Sequence, residues 1–182
     1  TCTAPVQQNL RFGADFKTAD RISCYNRDQA EFVGYAFQKD ITWGEEILAS
    51  TSDRPMTYYD SVSGKPLFRS PVGRNAKTFI TESYFHGWPS FRDQEVVWEN
   101  VRALENGEVV SIDGTHLGHN LPDVKGNRYC INLVSISGNQ IVGKNVDDAA
   151  IENAGNVTLE AAKAKLSVAS SEVPAAASLN NI

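Results

Sequence analysis

Tyr129 to Ile136 reads YCINLVSI, follows Arg128, and carries the strongest strand signal in the chain, being dense in β-branched and aromatic residues. In an extended strand, side chains alternate faces. Arg128, Cys130 and Asn132 therefore fall on one side, and Tyr129, Ile131 and Leu133 on the other. One face is polar around a thiol and the opposite face is apolar, as expected where a sheet covers a core. Downstream, ISGNQIVG (136–143) reads as a turn followed by a short edge strand. Upstream, Gln94–Leu104 (QEVVWENVRAL) spaces Val97, Val101 and Leu104 as on a helix face, but its paired valines suit strands. The Asn106-Gly107 turn before EVVSID then predicts a hairpin. TYYDSV (57–62), the turn SGKP and PLFRS (66–70) predict a second hairpin. The β-rich region thus spans 57–143.

On either side the pattern changes. Residues 1–56 mix short apolar and polar pieces, and Gln29–Phe37 (QAEFVGYAF) suits a short helix as well as a glycine-broken strand. These residues are expected as an N-terminal extension packed on the core. Arg69–His86 is rich in turn formers, with KTFIT its only periodic piece. Beyond Lys144 the composition turns to Ala, Asn, Ser and Glu, with a helix expected at Leu159–Leu166, a helix start at Asp147-Asp148, a glycosylation pattern at Asn156, and a loose Ala/Ser-rich end to this 144–182 extension.

A length of 182 residues fits one domain with extensions. The net charge of −5, with no clustered cations, argues against nucleic-acid binding. No apolar run approaches the roughly 20 residues that span a bilayer. The first residue is Thr1, with neither an initiator Met nor an apolar leader. The expectation is a processed chain in a secreted or organelle-lumen setting, such as a plastid or thylakoid.

The chemistry concentrates in a few residues. His86, His116 and His119 lie near Trp88 and upstream of Cys130. A cysteine with histidines nearby is the raw material of a thiol nucleophile, because the thiolate attacks and a neighbouring cation favours it. On a strand, Arg128 would lie roughly 7 Å from Cys130 on the same face and bias the thiol toward thiolate. Trp43 and Trp98 read as packing residues. HLGH with His86 is a poor metal set, having no acidic partner in a defined place.

GWPSF (87–91), THLGH (115–119) and RYCIN (128–132), preceded by SGKPLFRS (63–70), together resemble the signature blocks of the methionine-R-sulfoxide reductases over about residues 57–137. The resemblance implies a mainly β fold of two antiparallel sheets, with short helices left to the N- and C-terminal extensions. It implies Cys130 as the nucleophile toward a sulfoxide sulfur, and Trp88 as the wall for the substrate's methyl group. His116 and His119 would orient substrate and supply a proton, Arg128 would favour the thiolate, and Asn132 would complete the polar network. Phe91 and His86, from the GWPSF block and the position before it, join the substrate-binding set. Many members hold zinc with two cysteine pairs. Here those positions are Asp60 and Ser63, and Val110 and Asp113, so no metal is expected.

The implied activity is thiol-dependent reduction of methionine R-sulfoxide, free or in oxidised proteins, with no bound cofactor and an external thiol such as thioredoxin as reductant. Cys24 could resolve the oxidised Cys130; alternatively, Cys2 and Cys24 form a structural bridge closing a loop of about 23 residues, worth roughly 3 kcal/mol. Their place near one terminus favours the bridge. The competing reading is a non-catalytic subunit of a larger assembly, contacted through the extensions.

Overall fold

The computed structural model describes residues 2–25 and 27–141. The Cys2–Cys24 bridge ties down the N-terminal segment. Helix α1 (Phe16–Asp20) starts where the Asp15 carboxylate accepts the Thr18 N–H at 2.8 Å, and a π-helical turn, Arg21–Tyr25, continues it. Gln29–Phe37 resolves into loop and one 3-10 turn, Tyr35–Phe37, entered through Gly34 at φ 82°. Helix α2 (Trp43–Leu48) buries Trp43 and Ile47. These pieces share one core with the β region: Val6, Phe12, Ile22, Trp43 and Ile47 pack in the same cluster as Leu67, Phe91, Ile131 and Leu133.

Both expected hairpins form. Strands β1 (Met56–Tyr59) and β2 (Pro66–Ser70) pair antiparallel as a two-stranded sheet. The other sheet has five antiparallel strands. They are β3 (Ser90–Phe91), β4 (Val101–Ala103), β5 (Glu108–Ser111), β6 (His116–Asn120) and β7 (Tyr129–Ile131), in spatial order β3-β7-β6-β5-β4. The Asn106-Gly107 turn joins β4 to β5, with Gly107 at φ 87° and the Asn106 side chain accepting the Glu108 N–H. The protein is therefore mainly β, with two antiparallel sheets and a few short helices. No helix among the described residues is long and apolar enough to cross a membrane.

The structure departs from the sequence reading in four places. First, Arg69–His86 contains a full helix, α3 (Ala76–His86), capped by Asn75 accepting the Thr78 N–H and ended by Gly87 at φ 87°. Its buried face is only Ala76, Phe79 and Ser83, while Tyr84 and Phe85 are exposed, so it shows almost no amphipathic pattern. Second, Gln94–Leu104 is largely turn, with strand confined to Val101–Ala103. Third, the strand begun at Tyr129 stops at Ile131 and becomes a 3-10 turn at Leu133–Ile136. There the Leu133 and Val134 N–H groups are taken by the Glu31 carboxyl, at 2.8 and 3.1 Å, instead of by a neighbouring strand. Fourth, the described part of the expected turn and edge strand, 137–141, carries isolated bridge residues in place of a strand, among them Gly138 opposite Tyr59, and 142–143 lie outside the described residues. The expectations placed on Asp147-Asp148, Asn156 and Leu159–Leu166 lie outside the described residues.

Aromatic rings fill the space between the sheets and α3. Phe91 stacks on Phe68 with centroids 4.4 Å apart and meets Tyr58 and Phe79 at 5.1 and 5.2 Å. Trp43 donates its indole N–H to the Tyr58 hydroxyl at 3.1 Å, which satisfies the one polar atom it buries.

Candidate functional site

Sheet register assembles the site. Ser90 lies opposite Cys130, Cys130 opposite His119, and His119 opposite Glu108. Directly opposed residues share a face, so these four side chains form one row across β3, β7, β6 and β5. The alternation read from RYCIN also holds: Tyr129 and Ile131 are buried in the core while Cys130 is partly exposed.

His116 and His119 are three apart, which in a regular strand would put them on opposite faces. A β-bulge corrects this. Val109 pairs Gly118 but Val110 pairs His116, leaving Leu117 as the extra residue. Both imidazoles then lie on the Cys130 side, with ring centroids 5.5 Å apart. Gly118, beside the bulge, lets β6 and β7 close up, because a β-carbon there would stand 2.0 Å from the Cys130 carbonyl oxygen.

The Cys130 thiol opens into a cavity of about 260 Å³ lined by Ala30, Trp88, Gly118, His119, Leu121, Cys130 and Asn132. The Trp88 ring forms one wall and is fixed by its indole N–H, which donates to the Glu31 carbonyl at 3.1 Å. Asn132 is buried and uses both ends of its amide: Nδ2 donates to the Leu117 carbonyl at 3.1 Å, and Oδ1 accepts the Glu31 N–H at 3.0 Å.

Arg128 lies closer to the thiol than strand spacing alone implies, because its guanidinium folds back to hydrogen-bond Sγ. A chain of charges holds it. The Asp123 carboxylate lies 3.5 Å from Arg128 Nε and accepts two hydrogen bonds from Arg92, at 2.8 and 3.0 Å. Arg92 in turn pairs with Glu82, which also pairs with Arg74. Burial pushes the Glu82 carboxyl up, but the hydrogen bonds from Arg92 and Arg74 outweigh it and bring it to about 2.

Arg128 does pull Cys130 toward thiolate, but a larger opposing effect is present. Burial pushes the Cys130 thiol up, and Arg128, Ser90 and Arg92 pull it down by less, so the resting group sits above the ordinary cysteine value. Burial thus favours the thiol, and Arg128 stabilises the thiolate once it forms.

The two histidines also divide their expected roles. His116 is fully buried, and its Nδ1 lies 2.8 Å from the Glu108 carboxylate. Burial pushes its pKa below the ordinary histidine value, more than Glu108 raises it. Glu108 is itself held below the ordinary range by hydrogen bonds from Arg27 and His116 that outweigh its burial. An ionised carboxylate only accepts, so Nδ1 carries the proton and Nε2 is a bare acceptor. His116 is therefore no proton donor at neutral pH. His119 lines the cavity, and among the described residues no side-chain hydrogen bond engages its ring, so it is the histidine placed to give a proton to a ligand.

Two residues expected to bind substrate lie elsewhere. Phe91 is fully buried in the aromatic core, on the apolar side of β3. His86, at the end of α3, lines a separate surface hollow with Phe85, Asp123 and Lys125. The cysteine question is settled in favour of the bridge: Cys2 and Cys24 are joined to each other, and Cys130 is the free cysteine.

At two of the four positions where the resemblance places zinc cysteines, Asp60 and Asp113, other contacts join the turns. The Thr115 hydroxyl meets both Asp60 carboxylate oxygens at 2.9 and 3.0 Å, and Lys65 pairs with Asp113 at 3.0 Å. Among the described residues no group of three or more His, Cys, Asp or Glu is placed to hold a metal.

The sequence reading missed Glu31, Ala30, Arg27 and Glu108. Strand pairing would have flagged Glu108, the residue after the Asn-Gly turn. Nothing local marks the other three.

Glu31 gives a pH prediction. Burial pushes its carboxyl up to about 8, against the opposing pull of the Leu133 and Val134 N–H groups. Between its ordinary value of 4.5 and about 8 the folded protein holds more protons on this group than the unfolded chain. Its stabilising effect is thus full below the lower value and is lost as pH rises through the upper one. Denaturation across this range should show a falling component of up to about 1.4 kcal/mol per pH unit. Glu31→Gln should remove that component, and an unchanged slope in the variant would refute the assignment.

Fold and site together define a mainly β protein that presents one free, arginine-contacted thiol beside a histidine in a Trp-walled cavity. No family model matches the chain, and no solved structure matches it.

Proposed function

We propose that the protein reduces methyl sulfoxides, methionine R-sulfoxide above all, with Cys130 as nucleophile. The observation that carries this reading is the row Ser90–Cys130–His119–Glu108 opening beneath Trp88. A sulfoxide has a small apolar methyl group, an electrophilic sulfur and an oxygen that leaves only when protonated. A Trp wall, a thiol and an uncommitted imidazole answer those three needs in turn.

In the proposed step, Cys130 Sγ attacks the sulfoxide sulfur while His119 protonates the oxygen, and the proton lost by the thiol restores His119. The S–O bond to the substrate breaks and one forms at Cys130. The substrate sulfur is reduced by two electrons to a thioether, and the cysteine is oxidised to a sulfenic acid. Arg128 stabilises the thiolate that attacks. With Cys2 and Cys24 bonded to each other, two external thiols return Cys130 to its reduced state, releasing water and a disulfide. A thioredoxin-like dithiol would serve in this step.

The raised pKa of Cys130 favours a second reading, a non-catalytic module that retains the same cavity for binding. Steady-state turnover with dithiothreitol decides between them. The enzyme reading expects the R epimer of methionine sulfoxide to be consumed and the S epimer left, since a cavity fixing methyl and oxygen exposes one face of sulfur. Consumption of neither epimer would favour the module.

A further inference from the structure

We propose that Glu31 is a positioning residue for the Cys130 cavity, holding Trp88 and Asn132 in place as its walls. Three separate contacts converge on this one residue. Its carboxyl accepts the Leu133 and Val134 N–H groups that follow β7, at 2.8 and 3.1 Å. Its backbone N–H donates to Asn132 Oδ1 at 3.0 Å, and its carbonyl accepts the Trp88 indole N–H at 3.1 Å. Glu31 is almost fully buried, and the preceding Ala30 lines the cavity. A second clasp lies three residues on, where the Gly34 N–H donates to the Gly87 carbonyl at 2.9 Å, next to Trp88.

The carboxyl has a role that a packing residue does not need. A carboxyl buried in a loop costs free energy that an apolar side chain would avoid. In return it joins the N-terminal segment to the chain just beyond Cys130 through the first two N–H groups of that 3-10 turn, both buried. Once seated, its backbone has both a donor and an acceptor facing the cavity walls. Removing the carboxyl leaves Leu133 and Val134 N–H without partners and frees Ala30, so the Trp88 ring loses the carbonyl that fixes its tilt. The thiol and His119 stand on β7 and β6, which are joined by their own backbone pairing and do not depend on this clasp.

The kinetic consequence rests on the reading of the cavity as the sulfoxide site; the structural consequence does not. Both are measured on the full chain with the Cys2–Cys24 bridge intact. Alkylation of Cys130 by iodoacetamide at pH 7 should be at least about fivefold faster in Glu31→Ala than in wild type, and within about twofold of wild type in Glu31→Gln, which keeps an acceptor for the turn. In R-sulfoxide turnover, Glu31→Ala should raise KM about tenfold with kcat changed less than about threefold, and Glu31→Gln should restore KM. Trp88→Phe, which keeps the ring but lacks the N–H, should also speed alkylation, and it carries the test if Glu31→Ala does not fold. Wild-type alkylation rates in Glu31→Ala, or in Trp88→Phe should that variant stand in for it, would overturn the proposal, as would a loss of kcat with unchanged KM. Absence of turnover in wild type, with the alkylation difference present, would instead overturn the sulfoxide reading and leave Glu31 as the clasp.

Discussion

Cys130→Ser should show no sulfoxide turnover above the uncatalysed background while unfolding within about a degree of wild type. The two halves of this result have separate causes. Serine's hydroxyl has far too high a pKa to attack sulfur at neutral pH, so chemistry stops whatever else the cavity retains. The fold survives because oxygen for sulfur is a small change at a partly exposed position, where the Arg128 guanidinium and the Ser90 hydroxyl offer the new hydroxyl hydrogen-bond partners. Steady-state assay with dithiothreitol and thermal denaturation monitored by circular dichroism check the two halves. Residual turnover within tenfold of wild type would mean that another group reduces the sulfoxide.

The second large effect falls on stability. Phe91→Ala should cost about 3–5 kcal/mol, the usual range for emptying a buried phenylalanine site, and lower Tm on the order of 10 °C. The ring is fully buried, stacked on Phe68 and touching Tyr58 and Phe79, all themselves buried, so the cavity cannot collapse without moving two sheets and α3. A substrate-binding Phe91 would behave in the opposite way, leaving Tm near wild type and raising KM. Denaturant unfolding of the variant separates the two, with a loss under about 1 kcal/mol contradicting the core assignment.

Phe91 also shows where the sequence could be read and where it could not. The parity of RYCIN was legible because period-two alternation needs no partner, and it placed Cys130 and Ile131 on opposite faces correctly. Both hairpins were legible from their turns. The shared face of His116 and His119 was not, since it depends on a one-residue bulge at Leu117 that only the pairing with β5 reveals. Phe91 sits beside Ser90 in a two-residue strand, too short for alternation to say which side chain faces the cavity and which the core. Helix α3 was hidden because its buried face carries one large apolar residue while two aromatics face outward.

The N-terminal segment was the least legible part. Glu31 and Arg27 act through partners about 80 to 100 residues away, Glu108 for Arg27 and Asn132, Leu133 and Val134 for Glu31. A buried carboxyl in an irregular stretch runs against every local expectation, since glutamate is rarely fully buried and its hydrogen-bond partners here are backbone N–H groups. The resemblance in the later blocks carried no information about this segment, which nonetheless supplies one wall of the cavity.

Oxygen transfer to Cys130 in a single turnover tests the central claim most directly. Fully reduced Cys130 protein, freed of excess thiol, is mixed with R-methionine sulfoxide in the presence of dimedone, and thioether and modified cysteine are counted by mass spectrometry. The account predicts about one thioether formed per chain and one dimedone adduct, located on Cys130, with neither formed in Cys130→Ser. Unmodified Cys130 after prolonged exposure to the R epimer, with no thioether released, would contradict it.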